Sequence, residues 1–254
     1  MKILLITQDN PLYITESIGR LISKLAPTNE IVGCIVSNPS PFGKKESFYR
    51  KTLKTYKIFG FKFFTYYSWL YILNKFIKRN SLSSILQKYS VKKIILPNSV
   101  NHPNSLAEVR KLNPDLMISL AGNEIFRKDF INIPPRGCLN LHTALLPKYR
   151  GLMPTFWALK HSEEYTGVSV FFVDEGIDSG DIVIQKKIKI NNMTQSELIK
   201  KTKSVGVDAI VEAVTDIKND NVDIIENNDS EMTYFSFPTK EDVKEFRLKN
   251  KKFF

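Results

Sequence analysis

Short, almost continuous apolar runs recur along the chain: KILLIT at 2–7, EIVGCIVS at 30–37, VKKIILP at 91–97 and DLMISLAG at 115–122. Runs of this length, closed by polar, Gly or Pro positions, predict strands buried on both faces. Between the first two, the polar and apolar positions from Tyr13 to Leu25 follow a helical period, and a second helix is predicted from Ser105 to Leu112, with Asn113-Pro114 ending it. Strand and helix alternating in this way predict an α/β protein, a Rossmann-like, doubly wound and mostly parallel sheet. GVSVFFVD and GDIVIQKKIKI follow as a hairpin or adjacent strands. Leu198, Ile199, Val205, Val207, Ile210, Val211 and Val214 then place one amphipathic helix over 194–218. Gly206 weakens that helix by about 1 kcal/mol relative to Ala. The pattern predicts a single domain over 1–218 and a short extension over 219–254, with a polar bend, a β-like MTYFSFP and a helix starting at Thr239.

One stretch breaks the alternation. Residues 45–90, centred on IFGFKFFTYYSWLYILNKFI, are rich in Tyr, Phe and Lys. Lys62, Lys75 and Gly60 interrupt the run and argue against a membrane span. A basic aromatic helix on a membrane surface is one reading. Helices covering a face of the sheet, their lysine stems snorkelling outward, are the preferred one.

Composition adds little. The chain has 254 residues, 43% hydrophobic and 25% charged, as an ordinary globular protein does. A net charge of +11 invites a polyanion partner, yet lysines such as Lys51, Lys54, Lys92 and Lys200 are spread along the chain, which favours a solvated basic surface. Cys34 and Cys138 are far apart and predict buried free thiols. MKILLITQDN is too short an apolar run for a signal peptide, and a cytoplasmic location is the expectation.

Chemistry concentrates in CLNLHTALLPKYRG, 138–151. On a strand, Asn140 and His142 share one face, while Leu139 and Leu141 share the other. A carboxylate beside the imidazole would hold its tautomer, and the Asn amide could donate to an oxygen gaining negative charge. Such a set suits acyl transfer without a covalent nucleophile. TQDNPLYI stands where a Gly-rich dinucleotide loop would, which disfavours NAD. His102, His142 and His161 lack zinc spacing, and DEGIDSGD lacks EF-hand spacing, so no metal is expected. Gly-x-Ser-x-Gly is absent, and Cys138 carries no nucleophile signature beyond its place on the face of Asn140 and His142.

LNLHTALLPKYRG followed by GVSVFFVDEGIDSGDIVIQ resembles the signature of the folate-dependent formyltransferases. The likeness covers roughly 1–215. The family's catalytic Asn-x-His falls on Asn140 and His142, and its Asp falls on Asp178, 36 residues beyond His142. Where the family usually has Pro after the second Gly of the Asp motif, this chain has Asp181. The resemblance implies 10-formyltetrahydrofolate as formyl donor, its pterin held by Leu120, Ala121, Gly122, Glu124, Ile125 and Phe126 and by Val173, Asp174, Glu175 and Gly176. It also implies acceptor contacts from Gln8, Asp9, Asn10, Tyr149, Arg150 and Gly151.

The acceptor is a separate question. Methionyl-tRNA members of the family carry a C-terminal barrel for which the tail is too short, which disfavours nucleic acid. Glycinamide ribonucleotide members lack the aromatic segment and the TYFSFPTKEDVKEF tail. Both features resemble proteins that formylate nucleotide-linked amino sugars for surface polysaccharides, and a homodimer built on the aromatic tail is expected by the same likeness. A silent folate-binding protein is disfavoured because all three catalytic residue types are present.

Overall fold

The structure, a computed structural model, describes residues 1–10, 12–37, 47–77, 81–122 and 124–254. Residues 45–46 and 78–80 of the aromatic segment lie outside the described residues, as does position 123 within the predicted pterin loop. The elements run β1 (Lys2–Gln8), α1 (Ile14–Leu25), β2 (Glu30–Ser37), α2 (Phe48–Ile72), α3 (Leu82–Lys88), β3 (Lys93–Ile94), α4 (Pro103–Lys111), β4 (Leu116–Leu120), α5 (Lys128–Ile131) and β5 (Cys138–His142). They continue with β6 (Arg150–Gly151), α6 (Pro154–Lys160), β7 (Tyr165–Phe172), β8 (Ile182–Lys189), α7 (Gln195–Lys218), β9 (Tyr234–Phe235) and α8 (Lys240–Leu248).

The main sheet has the order β3-β2-β1-β4-β5-β7-β8. Its first five strands are parallel, whereas β7 runs antiparallel to both β5 and β8. Strand order reverses between β1 and β4, so the carboxyl ends of β1, β4 and β5 open onto the crevice where such sheets bind ligands. Alternation along the strands builds two layers. Ile3, Leu5, Leu139 and Leu141 pack with α1 and α7, while Leu4, Ile6, Met117 and Cys138 pack with Leu106, Val109, Phe126 and Phe130.

A reciprocal capping box starts α7: Thr194 Oγ1 accepts from the Glu197 amide, and the Glu197 carboxylate accepts from the Thr194 amide. Gly206 in that helix has a packing reason. A Cβ there would lie 2.5 Å from Leu141 Cδ2, so the bare backbone lets α7 press on the strand that carries Asn140 and His142. Gly206→Ala is therefore expected to lower stability by about 1–2 kcal/mol despite its better helix propensity. The check is a lower urea midpoint at unchanged m-value.

Three expectations need correction. The strand predicted over 91–97 shrinks to Lys93–Ile94, which pairs only with Cys34 and Ile35 at the sheet edge; Pro97 has no amide to continue a ladder. The helix predicted from Ser105 starts at Pro103, because Pro is pre-shaped for the first turn and His102 Nδ1 accepts from the Asn104 amide. Most of the aromatic segment does not cover the sheet. Helix α2 contributes Phe59 and Phe63 to a separate aromatic cluster with Phe156, Trp157, Phe246 and Phe253. Gly60, at φ 79°, kinks α2, and Arg247 of α8 donates to the carbonyl of Phe59 there. Because Phe246 and Phe253 are buried within this chain, the aromatic tail no longer supplies the argument for a homodimer.

Candidate active site

Strand β5 sets Asn140 beside Ser119 of β4 and opposite Phe171 of β7, and sets His142 opposite Ser169. Among the described residues, the Asn140 carboxamide makes no hydrogen bond, and it lines a cavity of about 950 Å³. The predicted third member arrives from the β7–β8 turn. Asp178 Oδ2 lies 3.4 Å from His142 Nδ1, and both side chains are largely buried. On its other side, His142 Nε2 is 2.7 Å from the carbonyl oxygen of Tyr149. A carbonyl only accepts, so Nε2 carries a proton and Nδ1, facing Asp178, is the nitrogen left to exchange one.

Asp178 takes a left-handed backbone, φ 52°, and is held from two directions. The Gly151 amide donates to its Oδ2 at 2.9 Å. From the extension, Asn227 Nδ2 donates to the carbonyls of Asp178 and Gly180, both at 2.9 Å. Asn227 is itself gripped by buried Arg150, whose Nη2 donates to Asn227 Oδ1 at 2.8 Å and to its carbonyl at 3.1 Å, while Nη1 donates to Asp229 at 2.7 Å. Next to Arg150, β6 pairs with β9, with the Arg150 amide donating to Thr233 and the Leu152 amide to Phe235. The extension is thus part of the frame that aims the carboxylate.

The cavity collects much of the predicted set: Gln8, Ala121, Gly122, Glu124, Ile125, Phe126, Asn140, His142, Gly151, Val173, Asp174, Gly176 and Asp178. Its loops are tied down locally. Glu124 accepts from Ser99 Oγ and the Val100 amide, and Asp174 Oδ1 accepts from the Gly176 amide and Ser179 Oγ. Other predicted residues do not reach it. Asp9, Asn10 and Glu175 stay off the lining, and Leu120 is wholly buried in the sheet core. Arg150, expected at the acceptor, is turned into the extension because its guanidinium is consumed by Asn227 and Asp229. The Tyr149 hydroxyl bonds Glu163 and His161 instead of facing the cavity, and burial with Glu163 beside it pushes its pKa up. Asp181 is exposed, and its carbonyl accepts from the Phe172 amide.

Several lining or supporting residues escaped the sequence reading. Ser169 Oγ donates to the Ala144 carbonyl and accepts from the Leu146 amide, and Gln185 Nε2 donates to the Leu146 carbonyl, fixing the loop just after His142. A lone Ser within an apolar strand was the available signal. Lys51, Lys54 and Thr55 of α2, Lys203 of α7, and Ser236 and Phe237 of the extension also line the cavity. Lys203 makes no hydrogen bond or ion pair among the described residues, and burial pulls its pKa down to about 8. Cys138 is buried beneath the site, and burial pushes its thiol pKa up, away from the reactive thiolate.

The doubly wound sheet thus brings an Asn, a His and an Asp together at its crevice, and burial holds the nearest thiol in its protonated form. Residues 74–214 match the family model described as formyl transferase, and the chain belongs to that family. Methionyl-tRNA formyltransferase of Ruminiclostridium cellulolyticum is 33% identical over 150 residues, 59% of this chain and 48% of that protein. The chain spans about half the length of the curated relatives it matches. A sugar N-formyltransferase from Shewanella sp. superposes with a TM-score of 0.59 at 18% identity, covering 93% of this chain and 77% of that one. Phosphoribosylglycinamide formyltransferase from Anaplasma phagocytophilum gives a TM-score of 0.64 at 14% identity, covering 94% and 99%. These two likenesses establish the shared fold.

Proposed function

We propose that the chain transfers a formyl group from 10-formyltetrahydrofolate to a primary amine, and that the acceptor is a nucleotide-linked amino sugar. In this reading 1–218 is the catalytic domain, 219–254 completes its site, and the enzyme works in the cytoplasm. The observation that carries the reaction is the unpartnered Asn140 amide sharing one cavity with the His142–Asp178 pair. The donor supplies a formyl carbon bound to nitrogen, whose carbonyl must be polarised before an amine can attack. As the acceptor nitrogen attacks that carbon, the carbonyl oxygen gains charge and the Asn140 amide donates to it. The attacking amine's proton passes to the His142–Asp178 pair and from there to the departing folate nitrogen as its bond to the formyl carbon breaks. Asp178 positions the ring and shares the proton. The Ala121–Gly122 turn and the 173–176 loop suit a flat heterocycle reading backbone groups at the cavity wall.

Support for the acceptor comes from the lysines on the lining, Lys51, Lys54 and Lys203, which suit a diphosphate whose binding energy would place the sugar amine. A second reading, a tRNA acceptor, is favoured by the curated relatives, whose printed names are methionyl-tRNA formyltransferase. Release of tetrahydrofolate with nucleotide-linked amino sugars, glycinamide ribonucleotide and charged initiator tRNA separates the readings. Turnover with a sugar nucleotide is expected, and turnover with tRNA alone would overturn the acceptor assignment. Lys203 provides a further check. Its ammonium is charged below a pKa of about 8 and neutral above it, so acceptor KM is expected to rise as pH passes through 8. Lys203→Met should raise KM at neutral pH roughly tenfold, leave kcat nearly unchanged, and flatten that rise.

A further inference from the structure

The two aromatic rows of α2 have different fates. Phe59 and Phe63 are buried against the extension, but Tyr49, Leu53, Tyr56, Phe61, Trp69 and Ile72 face solvent. Phe61 is 69% exposed, Trp69 58% and Ile72 52%. Their spacing is helical on each side of the Gly60 kink: 49, 53 and 56 before it, and 61, 69 and 72 after it. Each half of the helix thus carries an exposed apolar row while Phe59 and Phe63 pack on the other side, and large apolar rows of this kind rarely stay bare.

Charge decides what covers them. From Phe48 to Ile77 the sequence contains no Asp or Glu, while Arg50, Lys57 and Lys62 stand next in sequence to stripe residues. A second copy placed there would set cation against cation. Nucleic acid would match the charge but would leave Leu53 and Ile72 without an apolar partner. No helix among the described residues is long and apolar enough to cross a membrane. We propose that the exposed stripe of α2 is a peripheral docking surface for an anionic lipid bilayer: the apolar row enters the headgroup boundary, and the flanking cations meet lipid phosphates. The same helix lends Lys51, Lys54 and Thr55 to the cavity lining, so docking would bring the cavity close to the lipid surface.

The full chain reports on this itself. Trp157 is buried at 6% exposure, whereas Trp69 is exposed, so a shift of tryptophan emission to shorter wavelength on adding vesicles reports Trp69 entering a dry environment. Phosphatidylglycerol vesicles are expected to produce the shift and to co-sediment the protein, with phosphatidylcholine vesicles doing so at least about tenfold more weakly and added salt reversing the binding. Phe61→Glu with Ile72→Glu should abolish both signals. These exposed positions leave the core intact, which an unchanged circular dichroism spectrum and unchanged formyl transfer to a soluble acceptor would confirm. Equal binding to neutral vesicles, or no vesicle binding, would overturn the proposal. So would a dimer broken by the same double variant, or retention by single-stranded RNA in place of lipid.

Discussion

His142→Ala is expected to lower kcat by about 10²–10⁴-fold while leaving donor binding nearly intact. The ring faces the Tyr149 carbonyl through one nitrogen and Asp178 through the other, so its loss removes the imidazole that would share the amine's proton with the turn carboxylate. Single-turnover formyl transfer, read beside folate binding by fluorescence, separates chemistry from affinity. Asn140→Ala offers the internal comparison. It removes an oxyanion donor, worth about 2.7–4 kcal/mol of transition-state stabilisation, without disturbing any protein hydrogen bond. A wild-type rate in the His142 variant would remove the proton-transfer role and with it the acyl-transfer reading of the site.

Gly151→Ala should be almost as damaging for a different reason. Gly151 has φ 95°, and a Cβ there would lie 2.3 Å from the Phe235 carbonyl oxygen. Neither neighbour can yield freely: the Phe235 oxygen is the acceptor of the Leu152 amide, and the Gly151 amide holds Asp178. The substitution is expected to cost about 2–4 kcal/mol of stability and to reduce kcat at least about tenfold at temperatures where the protein stays folded. Asp178→Asn is the control, since it should lose rate without the stability loss. If Gly151→Ala kept both, the close approach of β6 and β9 would not be what aims Asp178.

The parts of this site that lie along one strand were legible. Alternation alone places Asn140 and His142 on one face, because strand geometry is local and Leu139 and Leu141 mark the buried side. Asp178 could be joined to them only through resemblance, since nothing in a Gly-Ile-Asp-Ser turn states which strand end it will meet. Asn227, Arg150 and Lys203 were misread or missed because their roles arise from contacts between distant segments. Arg150 in particular looked like a cleft residue from its neighbours, and only the arrival of Asn227 and Asp229 turns it inward. The aromatic segment shows the same limit. Composition predicted helices but could not say which ring would be buried, because the kink at Gly60 and the cover from α8 are tertiary events.

The clamp on Asp178 also bears on how the protein is made. Synthesis delivers the sheet strands and both members of the Asn-His pair well before Asn227, Thr233 and Phe235 leave the ribosome. A nascent chain arrested at the end of α7 can therefore pair its strands while its carboxylate turn is still without the Asn227 bonds and without β9. Assembly of the sheet and the birth of activity become separate moments in translation, and a premature stop before Asn227 would leave a chain able to collapse but poorly able to work.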